Sequence, residues 1–279
     1  MKRFPLAILR ASALIVLFAV GAMQPTAAQS PATNAAQQQV LIDGPQRSAD
    51  NRARDRYRQP GPVLGFLEVT PRSRVVEILP GSAGYWTEIL APLLKNDGQY
   101  TAAIPKPNPE RPEVMKGISD FKAKIAADPD SFGRLAVVEF SVDGTDIGPA
   151  DSADCVLTFR SLHNWMAAGK AEQVLAAFHR VLRRGGILGI EEHRGRTDQP
   201  QDPAAKTGYV REDYAQAMIE KAGFRFAAKS EVNANPRDTK DYAGGVWTLP
   251  PTYRLKDQDR DKYTAIGESD RFLMKFLKP

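Results

Sequence analysis

The feature that most constrains this chain is a regular exchange between short β-branched runs and stretches whose apolar residues recur at helical spacing. Arg74-Val75-Val76-Glu77-Ile78-Leu79 is the first such run and ends in Pro80-Gly81-Ser82-Ala83-Gly84. Trp86, Ile89, Leu90 and Leu93 then fall at helical spacing, with Pro92 shortening that helix. The pattern predicts further strands over 99–104, 135–140, 153–159, 187–190, 224–230 and 272–277. It predicts helices over 113–127, 171–182 and 211–221, the last two closed by Gly185-Gly186 and Ala222-Gly223. Strands alternating with helices at this spacing imply an α/β fold, a doubly wound and mostly parallel seven-stranded sheet of Rossmann-like form. In such a sheet ligands sit outside the carboxyl ends of the strands, at the switch point. Segment 233–270 breaks the rhythm. Its turns and its aromatics Tyr242, Trp247, Tyr253 and Tyr263 predict an ordered insertion before the last strand, lying over the crevice.

The N-terminus has a different character. Lys2 and Arg3 precede an apolar run from Leu6 to Ala22 broken by Arg10 and Ser12, and Thr26-Ala27-Ala28 stands before Gln29. That is the form of a cleaved signal peptide over 1–28, so a periplasmic or secreted protein is expected. The uninterrupted apolar part, 13–23, is well short of the roughly 20 residues a spanning helix needs, so no stable anchor is expected. Lys2, Arg3 and Arg10 have no acid beside them; without them the formal charge of +5 falls to +2. A weakly basic body of mixed sign offers no footprint for nucleic acid. Segment 29–46, rich in Gln, Ala, Pro and Asn, is expected to be a disordered linker, leaving 47–279 as a single domain. Alternating Arg and Asp between Ser48 and Arg58 predict a solvated helix ended by Pro60-Gly61-Pro62. The one cysteine, Cys155, lies in a strand pattern and is expected to be a buried, inert thiol.

Candidate chemistry gathers at strand ends. Gly81 and Gly84, with Ser82 between them, make the first βα turn a natural anion or cofactor site. Two of the three histidines, His163 and His193, follow the fourth and fifth strands, which are neighbours in this sheet type. With Arg160 and Asn164 from the same loop as His163, they offer a base, a donor and a cation at the ligand edge. His179 falls inside a helix and reads as structural. A metal site of His163, His193 and Glu191 or Glu192 has no HxxxH or CxxC spacing behind it, and none is assigned. A G-x-S-x-G elbow is absent, which disfavours an α/β-hydrolase.

These residues together resemble a family of exported bacterial predicted methyltransferases. The similarity runs over 47–279 and is carried by Asp55-Arg56-Tyr57-Arg58-Gln59-Pro60, Glu77-Ile78-Leu79-Pro80-Gly81 and Phe159-Arg160-Ser161-Leu162-His163-Asn164-Trp165. Glu192-His193-Arg194, Val246-Trp247-Thr248-Leu249-Pro250-Pro251 and Gly267-Glu268-Ser269-Asp270-Arg271 continue it. The resemblance implies a class I methyltransferase fold binding S-adenosylmethionine, with Glu77, Gly81, Ser82 and Gly84 near the cofactor. With that fold, the strand-end residues His163, His193, Asn164 and Arg160 are the catalytic candidates, and a small-molecule or envelope-component acceptor is expected. Two departures from the family pattern stand out. Leu79 and Ala83 occupy glycine positions, and the second strand ends Ala103-Ile104-Pro105 without an acid for the ribose hydroxyls. Asp143 or Asp146, after the third strand, is left to meet the adenine. The competing readings are a non-catalytic periplasmic binding protein on this fold and a histidine- or metal-dependent hydrolase.

Overall fold

The structure, a computed structural model, describes residues 31–143 and 146–279. The expected signal peptide, 1–28, lies outside them. Among the described residues no helix is long and apolar enough to cross a membrane.

The chain begins with α1 (Pro31–Ile42), α2 (Ala49–Arg52), α3 (Asp55–Arg58) and α4 (Pro60–Phe66). The first half of the sheet follows: β1 (Arg74–Ile78), α5 (Thr87–Leu94), β2 (Gln99–Pro105), α6 (Pro112–Ala127), α7 (Pro129–Phe132) and β3 (Ala136–Phe140). The second half comprises β4 (Ala153–Phe159), α8 (Leu162–Ala167), α9 (Ala171–Val181), β5 (Leu182–His193), α10 (Glu212–Lys221), β6 (Arg225–Ser230), α11 (Arg260–Ile266) and β7 (Arg271–Leu277). They form one seven-stranded sheet ordered β3-β2-β1-β4-β5-β7-β6. Pairing is parallel except along β7, which runs antiparallel to β5 and β6. The chain winds outward from β1 to β3 and returns to β4, so the switch point lies between the paired strands β1 and β4.

Alternation along the strands divides the core. Val76, Ile78 and Val156 pack with Val174, Leu175 and Phe178 of α9 and Ile219 of α10. Val75, Cys155 and Leu157 face the other way, toward Leu64 of α4, Ile89 and Leu90 of α5, and Phe121 of α6. Burial pushes the Cys155 thiol up to about 12, so it has almost no thiolate character at neutral pH.

The N-terminal region departs from the sequence expectation. Residues 31–42, expected within a disordered linker, form a helix whose Gln38 is buried and donates to the Val69 carbonyl at 2.8 Å. Its neighbour Gln46 solves a problem set by Pro92. A proline inside a helix has no N–H for the carbonyl four residues earlier, here that of Glu88. Gln46 Nε2 donates to that carbonyl at 3.1 Å and to Leu41 O at 2.7 Å. The expected solvated helix over 48–58 is two short turns with buried polar side chains instead. Arg47 is enclosed and doubly bonded to Asp55 at 2.6 and 2.8 Å; Asn51 Nδ2 donates to Ala83 O at 3.0 Å. Polar contacts, which apolar periodicity does not register, dock this region over the first βα turn.

Candidate functional site

The ends of β1, β4 and β5 meet beneath the N-terminal turns and the 233–270 insertion and line an open cavity of about 340 Å³. Arg54 and Arg58 line it from the N-terminal turns and Leu79 from the end of β1. Arg160, His163 and Asn164 follow β4, His193 ends β5, and Val246, Trp247, Pro250 and Glu268 come from the insertion. Thus four residues singled out in the sequence, Arg160, His163, Asn164 and His193, share one pocket. The expected cover is there too, as a short 3-10 turn over Gly245–Thr248.

Two strand ends turn through the left-handed region to build this pocket, at Leu79 (φ 56°) and Arg160 (φ 61°). L side chains adopt that conformation at a cost, and such outliers cluster at functional sites. The turn after Leu79 continues through Gly81 at φ 74°, with open space where a Cβ would project. No hydrogen bond among the described residues uses the N–H groups of Gly81, Ser82 or Ala83, all exposed. Gly84, at φ 56°, is closed in by Thr87 and Phe121 at 3.2–3.3 Å.

The histidines are held as a pair, with ring centroids 5.4 Å apart. Glu192 is wholly buried and orients His163: Oε1 accepts from His163 Nδ1 at 2.9 Å and from the His193 N–H at 2.8 Å, while Oε2 accepts the His163 N–H at 3.1 Å. A carboxylate on Nδ1 fixes the tautomer and leaves the lone pair of a neutral ring on Nε2. His193 Nδ1 lies 2.6 Å from Ser269 Oγ. Among the described residues neither Nε2 has a protein partner. Burial, then the proximity of His163, Arg160, Arg271 and Arg58, pulls the His193 pKa well below the usual histidine value. It is therefore a neutral imidazole at neutral pH.

His163, Glu192 and His193 bring ligand atoms within 4.8 Å of one another, a spacing a metal ion could use. Both Glu192 oxygens already accept N–H bonds, however, and the surrounding charge is cationic. That setting disfavours a cation.

The remaining sequence candidates lie elsewhere. Glu77 is buried beneath the first turn, its Oε2 accepting from Tyr100 OH at 2.5 Å, and burial pushes its carboxyl up to about 7. Asp143 is exposed and paired with Lys170 at 2.8 Å; Asp146, also exposed, pairs with Arg180 at 2.9 Å. The end of β2 presents buried Ile104 and then Pro105. Sequence reasoning missed Arg54, Arg58, Glu268 and Ser269. Arg54 and Glu268 meet at 2.6 Å across 214 residues of chain, a separation no local pattern reveals.

No protein-family model matches the chain, and comparison with curated proteins finds no relative. Solved structures do resemble it. A SAM dependent methyltransferase from Aquifex aeolicus aligns over 90% of this chain and 100% of its own, with a TM-score of 0.55 at 15% identity. The cyclase SpnF aligns over 85% of this chain and 86% of its own, with a TM-score of 0.56 at 14% identity. The chain therefore has the class I methyltransferase fold, as the strand order also requires. Identities this low establish the fold alone, and a cyclase on the same scaffold illustrates that fold does not fix the reaction.

Proposed function

We propose that this protein is an S-adenosylmethionine-dependent methyltransferase acting on a small molecule or envelope component outside the cytoplasm. One observation carries the reading: Leu79, which opens the glycine turn of β1, lines the same cavity as His163 and His193. A cofactor on that turn and an acceptor among the imidazoles would meet at the switch point. The turn fits the cofactor through the exposed N–H groups of Gly81, Ser82 and Ala83 and the open space above Gly81. It offers no carboxylate at the end of β2, so the ribose would be held by other groups.

When bound, S-adenosylmethionine supplies an electrophilic methyl group. The chain's own part is to position the acceptor beside it, a proximity effect. Where the acceptor carries an acidic hydrogen, Nε2 of His193 or His163 takes that proton, with Glu192 holding His163 in place. Trp247 and Pro250 line the cavity from the insertion side.

Calorimetric titration of the purified protein with S-adenosylhomocysteine tests this. Micromolar binding is expected, with a large loss in Gly81→Val, whose side chain would fill the open turn at a strained φ. A folded protein that does not bind S-adenosylhomocysteine would point to the rival, a binding protein for another ligand. Export is part of the proposal; extracytoplasmic protein beginning at Gln29 supports it, and retention of 1–28 on cytoplasmic protein opposes it.

A further inference from the structure

The guanidinium groups around the cavity are only partly satisfied by the protein. Arg47 shows how this chain treats a structural buried arginine: two bonds to Asp55 and one to the Ile42 carbonyl, with Nε alone left unpartnered. Arg58 is treated differently. It is only 4% exposed, yet its side chain makes no hydrogen bond among the described residues. Its nearest carboxylate oxygen, on Glu268, is 3.8 Å from Nε, and its guanidinium rests on the Tyr85 ring at 4.3 Å. Arg160 reaches Glu191 and Glu268 only at 3.8 and 3.6 Å. Arg54 bonds Glu268 through Nε, but its buried Nη2 has no partner. Arg271 bonds Glu268 at 2.9 Å and Tyr57 O at 2.7 Å.

Four guanidiniums thus share two carboxylates, Glu191 and Glu268. Glu192 is a third carboxylate nearby, but both its oxygens are taken by His163 and the His193 N–H. The imidazole of His193 is neutral, and Glu77, tied to Tyr100, adds at most a partial charge. A buried cation without hydrogen bonds is costly to keep, which is the situation of Arg58. Arg54 and Arg160, each about a fifth exposed, turn further unused donors to the cavity. Planar forks of this kind match carboxylate and phosphate oxygens. Trp247, whose ring packs beside His163 and under Arg254, adds apolar surface to the lining with Val246 and Pro250. The volume, about 340 Å³, suits a small molecule.

We propose that this cavity is an oxyanion site in which Arg54, Arg58 and Arg160 bind the carboxylate or phosphate of a small substrate that also carries an apolar group. The anion preference rests on the arginines alone; that the bound molecule is the methyl acceptor rests on the methyltransferase reading. The apolar part lies against Trp247, and the ligand's reactive group is directed to His163 and His193.

Benzoate, phenyl phosphate and uncharged benzyl alcohol, titrated calorimetrically into the purified protein, test the proposal and separate a carboxylate from a phosphate preference. At least one anion binds, and benzyl alcohol binds at least about tenfold more weakly. Arg58→Gln and Arg160→Gln each weaken anion binding roughly ten- to hundredfold, the worth of a charge-assisted hydrogen bond. Arg196→Gln, outside the cavity beside Asp198, leaves it unchanged. Thermal unfolding of Arg58→Gln falls at or above the wild-type temperature, whereas a structural buried arginine would lower it. Should that variant not fold, Arg160→Gln carries the test. A folded protein that binds no anion, or binds the alcohol equally well, overturns the proposal; so does unchanged affinity in Arg160→Gln. Anion binding without S-adenosylhomocysteine binding would reject only the methyltransferase reading. Cofactor binding without anion binding would reject only the oxyanion site.

Discussion

Replacing Glu77 by glutamine separates a structural role for this carboxyl from a charged one. The side chain is 2% exposed, and Tyr100 OH, itself 2.8 Å from Thr87 Oγ1, donates to its Oε2. Burial disfavours the carboxylate more than this bond and the attraction of Arg58 and Arg160 favour it, so its pKa rises from 4.5 to about 7. A raised folded-state pKa means that the folded protein holds the proton more tightly than the unfolded chain. The resulting stability is complete below about 4.5 and is lost as pH rises through about 7. At ~1.4 kcal/mol per pH unit the whole effect is about 3 kcal/mol, of which about 2.5 kcal/mol falls between pH 5 and 8. Glutamine imitates the neutral acid and keeps an acceptor for Tyr100. Urea unfolding of both proteins at pH 5, 6, 7 and 8 reads the difference. The variant should gain on wild type by about 2.5 kcal/mol across that range. Glu268 does not interfere. Burial opposes its ionisation, but Arg271, Arg58 and Arg54 hold its pKa at about 2, so its contribution is lost only in acid and is common to both proteins. A difference independent of pH, or a variant less stable at pH 8, would refute the reasoning.

Two further outcomes are expected. Glu192→Gln replaces an acceptor of three N–H bonds with a group that must turn an NH₂ toward at least one of them. It should destabilise the fold by about 1–3 kcal/mol in chemical denaturation, the cost of one buried donor left unpaired. In the same variant, ¹⁵N NMR should show His163 losing its fixed tautomer; an unchanged spectrum would mean that Glu192 does not orient the ring.

Much of the sheet was legible because each strand is a compact apolar run whose alternating residues feed two helix layers. Val75 and Val76 are adjacent in sequence and belong to opposite faces of the core. The histidine pair was legible for a related reason: consecutive parallel strands bring their carboxyl ends together, and His163 and His193 lie at two such ends. The N-terminal helices were not, because Gln38, Gln46, Arg47 and Asn51 dock them through polar bonds, and a polar stretch reads as solvated until its partners are known. Arg54 and Arg58 were hidden in the same way within an alternation of charges that resembled a solvent-exposed face. Ser269, the partner of His193, lies 76 residues away, within an insertion whose path no periodicity specifies.

Hydrogen exchange measured with and without saturating S-adenosylhomocysteine tests the central claim most directly, because it reads the binding place as well as binding itself. Slowed exchange at the amides of Gly81 to Tyr85 and of Arg160 to Asn164 is the predicted result. Saturable binding that leaves both segments unprotected would contradict the account.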